Sequence, residues 1–255
     1  MAYLGITAPF GIAHRGGSQE HLENSPSAFT HAFDLGFDVI ETDVHPTADG
    51  VLVLMHDPSL TRTTDVRKNV SELTWKQLSS IRLRNGEPIL RLEQLVDIAP
   101  AGTRFNIDPK SDAAVEPLIS FLKNDESAAG RICVGSFSSE RLTKVRAAVP
   151  HVATSLGSSE IRSLAIASRT RHGRWSHAGA VAVQVPEKAF GLRLVNQQFV
   201  DFSHNLGMDV HVWTVDSEQD MHRLYDLGVD ALITDRPSAL KEVLIQRGHW
   251  RHDNG

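Results

Sequence analysis

Short apolar runs alternate with longer stretches of helical period along almost the entire chain, and this rhythm restricts the fold more than any other feature. Residues 10–14, 38–45, 103–107, 132–135, 152–155, 180–185, 209–215 and 230–234 read as strands, because they are short, apolar and bounded by turn residues. A helix-period segment follows each in turn, at 26–35, 92–99, 113–123, 139–148, 159–167, 197–206, 218–227 and 237–245. About eight βα units in succession predict an α/β fold, a parallel (β/α)8 TIM barrel. An open doubly wound sheet is the competitor. It usually has fewer units and a glycine fingerprint after the first strand, and Gly16-Gly17 lacks that spacing. After the second strand, Thr47-Ala48-Asp49-Gly50 makes a turn into a hairpin partner at 51–56. Residues 58–88 then break the rhythm, with one short helix expected at 74–81. We read 58–88 as a small insertion after the second barrel strand, inside a single domain spanning 1–255, and 249–255 as a surface tail.

Composition excludes several function classes. The hydrophobic and charged fractions, 41% and 22%, are those of a soluble globular protein. A net charge of −5 and the lack of any Lys/Arg run argue against general nucleic-acid binding, so a bound anion must be held by a few local groups. Cys133 is the single cysteine, which rules out an intramolecular disulfide and argues against a Cys-based zinc site. No basic, apolar leader precedes His14, and no apolar stretch approaches 18 residues. The expectation is a cytoplasmic protein without stable membrane insertion.

In such a barrel the chemistry sits where strands end and βα loops begin. The polar residues of this chain fall at those places: His14 and Arg15, then Glu41 and Asp43, then Asp108 and Lys110, Gln184, Trp213 and Thr214, and Asp235. Glu41 and Asp43 are two apart on a strand, so they point the same way. Two such carboxylates repel unless they share a cation or a proton. Asp108 and Lys110 repeat the spacing. His14 and His56 both close apolar runs beside charged neighbours, which separates them from most of the 13 histidines. His45, His151 and His211 lack that setting. Trp213 serves equally well as core or as a substrate wall. Arg62 and Asp65 read as structural.

Several stretches carry a family resemblance. His14-Arg15-Gly16, Glu23-Asn24-Ser25, Glu41-Thr42-Asp43-Val44, His56-Asp57-Pro58 and, near the end, Val212-Trp213-Thr214-Val215 and Ile233-Thr234-Asp235-Arg236-Pro237 resemble the glycerophosphodiester phosphodiesterase (GDPD) family in order and spacing. The resemblance implies a (β/α)8 barrel that hydrolyses glycerophosphodiesters to glycerol 3-phosphate and an alcohol with a divalent metal, Mg2+ or Ca2+. It makes His14 and His56 the general acid/base pair and Glu41, Asp43 and Asp108 the metal ligands. Arg15 and Lys110 then hold the phosphate, and Trp213 lines the substrate pocket. Asp108 stands where the family usually has glutamate, and Leu22 where it commonly has proline. Which histidine is acid and which base is left open by the residues, as is direct attack by water against attack by the glycerol 2-hydroxyl. Two other functions compete: a lysophospholipase D-like phosphodiesterase acting on a lipid, and a non-catalytic barrel that binds phosphate esters. A binder has no need of paired proton carriers.

Overall fold

In the computed structural model, which describes residues 4–170, 175–176, 179–189 and 192–250, the alternation predicted from sequence is realised element by element. The order is β1 (Phe10–His14), α1 (Pro26–Leu35), β2 (Val39–Pro46), β3 (Leu52–Leu54), α2 (Trp75–Leu78), α3 (Leu92–Ile98), β4 (Arg104–Pro109), α4 (Val115–Asn124) and α5 (Glu126–Ala129). It continues with β5 (Ile132–Val134), α6 (Ser139–Ala148), β6 (Ala153–Thr154), α7 (Ser158–Thr170), β7 (Ala182–Pro186), β8 (Lys188–Ala189), β9 (Leu192–Arg193) and α8 (Gln197–Asn205). The last elements are β10 (Asp209–Trp213), α9 (Glu218–Asp226), β11 (Ala231–Thr234) and α10 (Pro237–Gln246). Eight strands lie in the order β6-β5-β4-β2-β1-β11-β10-β7, and a parallel bridge between Ser155 and Ala182 joins the two ends. This is the expected (β/α)8 barrel.

The two faces of each strand bury different chemistry. Ile40, Val44, Phe105, Ile107, Val134, Val183, Val210 and Leu232 pack outward into one cluster with helix residues such as Phe29, Leu95, Leu118 and Leu240. The alternate residues Phe10, Ile12, Val39, Cys133, Ala182, Ala231 and Ile233 form a separate cluster that fills the barrel interior. Following the same parity toward the strand ends, the inward positions become His14, Glu41, Asp43, Asn106, Asp108, Gln184 and Trp213. Strand register therefore delivers a charged layer on top of an apolar plug.

The hairpin strand expected at 51–56 is shorter, Leu52–Leu54, paired with β2 on one edge, where Met55 N–H still reaches Asp43 O, and bonded on the other through Leu54 N–H to Leu90 O. His56 stands beyond it on a loop. Residues 58–88 gather Leu60, Val70, Leu73, Leu78 and Leu83 on Val53 and Met55 of the hairpin, so this polar-looking segment closes an apolar cluster by borrowing from β3. Its helix is a single turn, α2, capped reciprocally by Thr74 and Gln77. The β8–β9 hairpin and α5 have no counterpart in the sequence reading. Of the expected tail, Trp250 packs edge-on against Phe37 at 5.3 Å, while 251–255 fall outside the described residues. Among the described residues no helix is long and apolar enough to cross a membrane.

The turn after β1 points the first site residues inward. Arg15, Gly16 and Gly17 have φ of 53°, 81° and 107° in succession. A Cβ on Gly17 would stand 2.6 Å from Pro237 Cγ. Gly17→Ala combines backbone strain of ~1–3 kcal/mol with overpacking of ~1–3 kcal/mol. We expect a melting temperature several degrees lower by calorimetry, since ~1 kcal/mol moves Tm by about 2–4 °C at this size.

Candidate active site

β1 sits between β11 and β2, with Ala13 beside Thr234 and His14 beside Glu41 in register. That placement sets the surroundings of His14. Its Nδ1 lies 2.6 Å from Asp235 Oδ1, and its Nε2 lies 3.6 Å from Glu41 Oε2. With Asp235 accepting from Nδ1–H, Nε2 is the nitrogen left for chemistry. Burial disfavours the imidazolium, but Glu41 and the Asp235 hydrogen bond outweigh it and raise the His14 pKa above its ordinary value. His56 follows the same plan on its loop, with Nδ1 2.7 Å from Asp57 Oδ1. Asp57 is fixed in turn by Arg62 Nε at 2.7 Å, and this hydrogen bond takes the leading part in holding its carboxyl at about 2. Arg62 also makes two hydrogen bonds of 2.6 and 2.7 Å to Glu23.

β2 and β4 pair with Asp43 opposite Asp108 and Glu41 opposite Asn106. Asp43 has no exposed surface. Lys110 Nζ stands 2.7 Å from its Oδ1, and Arg15 Nε stands 3.0 Å from its Oδ2. Burial works against the ionised form, and the charges of Lys110 and Arg15 overcome it, so its pKa is lowered. Glu41 is treated differently by the same site. Burial and the charge of Asp43 push its carboxyl up to about 7. Asp108 is also raised by burial, although Lys110 Nζ, 2.8 Å away, pulls the other way. Lys110 is raised too: burial opposes its charge, and Asp108, Asp43 and Glu41 more than compensate.

Seven of the eight predicted residues, His14, Arg15, Glu41, His56, Asp108, Lys110 and Trp213, line one cavity of about 650 Å3. The eighth, Asp43, lies beneath them, bound to Arg15 and Lys110. Oxygen-only donors suit a hard divalent cation. Both Asp43 oxygens are buried and face cations, Oδ1 the Lys110 ammonium and Oδ2 the Arg15 guanidinium, in place of well-directed hydrogen bonds. Among the described residues no three acids, histidines or cysteines are arranged so that they could hold a metal ion, and Lys110 Nζ bridges Asp43 and Asp108.

Residues 14–239 match the sequence profile of the Glycerophosphoryl diester phosphodiesterase family. The chain belongs to that family. It is 36% identical to a probable glycerophosphodiester phosphodiesterase 2 of Mycobacterium tuberculosis, over 94% of this chain and 92% of the relative. It is 30% identical to a glycerophosphodiester phosphodiesterase of Caldanaerobacter subterraneus, over 93% and 98%. Its fold matches an Oleispira antarctica phosphodiesterase solved with the product sn-glycerol-3-phosphate, at a TM-score of 0.79, 23% identity and coverage of 93% and 97%.

The sequence places Asp235 at a strand end and reads Arg62 as structural, but it does not give the supporting contacts these two make with His14, Glu23 and Asp57. Asp57 was legible as the neighbour of His56. Asp235 lies 221 residues from His14 and needed barrel closure to be paired with it. Asn106 and Gln184 join by reciprocal hydrogen bonds of 3.1 and 3.3 Å, and Gln184 reaches His211 at 3.2 Å. His211 is entirely buried, and burial pushes its pKa down to about 3. It is therefore neutral in the fold and takes up a proton on unfolding at acid pH. Stability falls as pH drops below the ordinary histidine pKa of ~6.5, by up to ~1.4 kcal/mol per unit from this group. Urea unfolding of His211→Gln at pH 7 and pH 5 should show an acid loss about 2 kcal/mol smaller than wild type.

Proposed function

We propose that the protein hydrolyses glycerophosphodiesters to sn-glycerol 3-phosphate and an alcohol, with His14 and His56 carrying the protons. One observation carries this reading: two imidazoles open on one cavity, each with Nδ1 fixed by its own carboxylate, Asp235 or Asp57. Fixing Nδ1 leaves each Nε2 ready to accept or give a proton. One takes the proton of the attacking hydroxyl while the other protonates the departing alkoxide, so water is added across one P–O bond.

A phosphodiester repels nucleophiles, and its transition state gains charge. Lys110 spends two of its three donors on Asp43 and Asp108 and keeps one for a phosphate oxygen. Arg15 is anchored through Nε on Asp43 and Nη1 on Glu23, which presents the rest of its guanidinium fork. In our reading Glu41, Asp43 and Asp108 hold Mg2+ or Ca2+, and Trp213 forms a wall for the substrate. The cation supplies further positive charge at the phosphate. Support for it is the oxygen-only donor set gathered by the ends of β2 and β4, where Asp43 stands opposite Asp108. The product bound by the Oleispira relative supports the same product class. A cytoplasmic setting completes the reading, in keeping with a single cysteine, Cys133, which is buried.

Release of glycerol 3-phosphate from glycerophosphocholine tests the proposal. His14→Ala and His56→Ala should each lower kcat by about 10²–10⁴-fold. Substantial turnover in both variants would remove the histidines from the chemistry. EDTA should abolish release and Mg2+ or Ca2+ restore it; turnover indifferent to EDTA would remove the cation.

A further inference from the structure

Two side-chain amides in the depth of the cavity take no part in the proton transfers or charge pairing described so far. Asn106 on β4 and Gln184 on β7 line the cavity together with Gly135 and Ser155. Around the barrel, β5 and β6 lie between their strands. The two amides meet across that gap because the inward positions between them are small, Gly135 after β5 and Ser155 after β6. A Cβ on Gly135 would stand 2.9 Å from Gln184 Oε1 and 3.3 Å from Asn106 Oδ1. Gly135 is not among the residues with positive φ, so glycine serves here by leaving room beside the amide pair and not by its backbone freedom.

The hydrogen bonds of the pair define what fits in that room. Asn106 Nδ2 donates to Gln184 Oε1 at 3.3 Å, and Gln184 Nε2 donates to Asn106 Oδ1 at 3.1 Å and to His211 Nδ1 at 3.2 Å. Gln184 thereby uses both of its N–H groups, whereas Asn106 keeps one N–H and each amide oxygen keeps a lone pair. One donor beside two acceptors is the complement of a hydroxyl, which gives one hydrogen bond and takes another. A methyl group at the same place would leave the buried Asn106 amide without a partner. Below the pair the barrel is closed by Phe10, Ile12 and Ile233, so a substrate ends there. Glycerol is the part common to all glycerophosphodiesters, and the head alcohol that varies belongs at the open mouth. Asn106 lies two residues before Asp108, roughly 7 Å deeper along β4. With the phosphate at Arg15 and Lys110, the glycerol hydroxyl that reaches deepest is the terminal one. We propose that the Asn106–Gln184 pair, in the room kept by Gly135, binds the terminal hydroxyl of the substrate's glycerol and selects substrates in which that hydroxyl is free. This rests on the reading of the site given above.

Choline release is measured from glycerophosphocholine and from two analogues, one with methyl in place of the terminal CH2OH and one lacking the 2-hydroxyl. In the wild type, kcat/KM for the terminal deoxy analogue should be roughly 10- to 100-fold below that for glycerophosphocholine, because the analogue leaves buried amide groups unpaired. Gln184→Leu and Gly135→Ala should each shrink that ratio to within about threefold of unity, through loss of glycerophosphocholine turnover and not gain on the analogue. Gly135→Ala keeps every polar group and only fills the room, so it carries the test where Gln184→Leu does not fold. A wild-type ratio near unity overturns the hydroxyl subsite and leaves the reaction standing. So does a ratio that survives Gly135→Ala, or a loss confined to the analogue lacking the 2-hydroxyl. No choline from glycerophosphocholine overturns the reaction itself, and the subsite with it.

Discussion

A carboxylate cut off from water organises this molecule. Asp43 is fully buried, and a buried charge is expensive unless it is paired. Lys110 and Arg15 supply the pairing from just beyond the ends of β4 and β1, and each is held in turn, Lys110 by Asp108 and Arg15 by Glu23. Glu23 then binds Arg62, which fixes Asp57, which fixes His56. One desolvated acid thus reaches, through alternating charges, to an imidazole on a loop outside the barrel. Removing a single partner leaves an uncompensated buried charge, so these residues behave as a unit.

The same desolvation separates the two acids of β2. Asp43 is depressed by its cations, whereas Glu41 is driven up to about 7 by burial and by Asp43 itself. Two carboxylates in one apolar mouth cannot both be comfortably ionised without more positive charge. That tension connects the structure of the barrel to its proposed chemistry, in which a cation and a phosphate would complete the charge balance together. The barrel floor contributes by staying dry, with Phe10, Ile12 and Ile233 packed beneath the charged layer.

The cavity is also asymmetric. Its inner side is made by strand ends and is ionic, while its outer side is made by α7 and the loop bearing Phe137 and is largely apolar. Strand ends are held in register by the sheet, so they suit groups that must be positioned closely. Helices and loops around the rim vary without disturbing that register, so they suit the choice of substrate.

The sequence by itself determined the barrel, since apolar runs of period two and helical segments of period 3.6 can bury their faces together only in a few ways. It also determined most of the charged layer. His14, Glu41, Asp43 and Asp108 are legible because strand parity and strand ends are local properties, and His56-Asp57 because the partners are adjacent. Tertiary structure alone decided what those groups touch. His14 meets Asp235 only when β11 closes on β1, Lys110 comes to share Asp43 with Arg15 only when β4 lies beside β2, and Glu23 links Arg15 to Arg62 only when the insertion folds back. The reason is physical: periodicity records which face a residue takes, whereas ion pairs depend on distances between segments that the local chain does not encode.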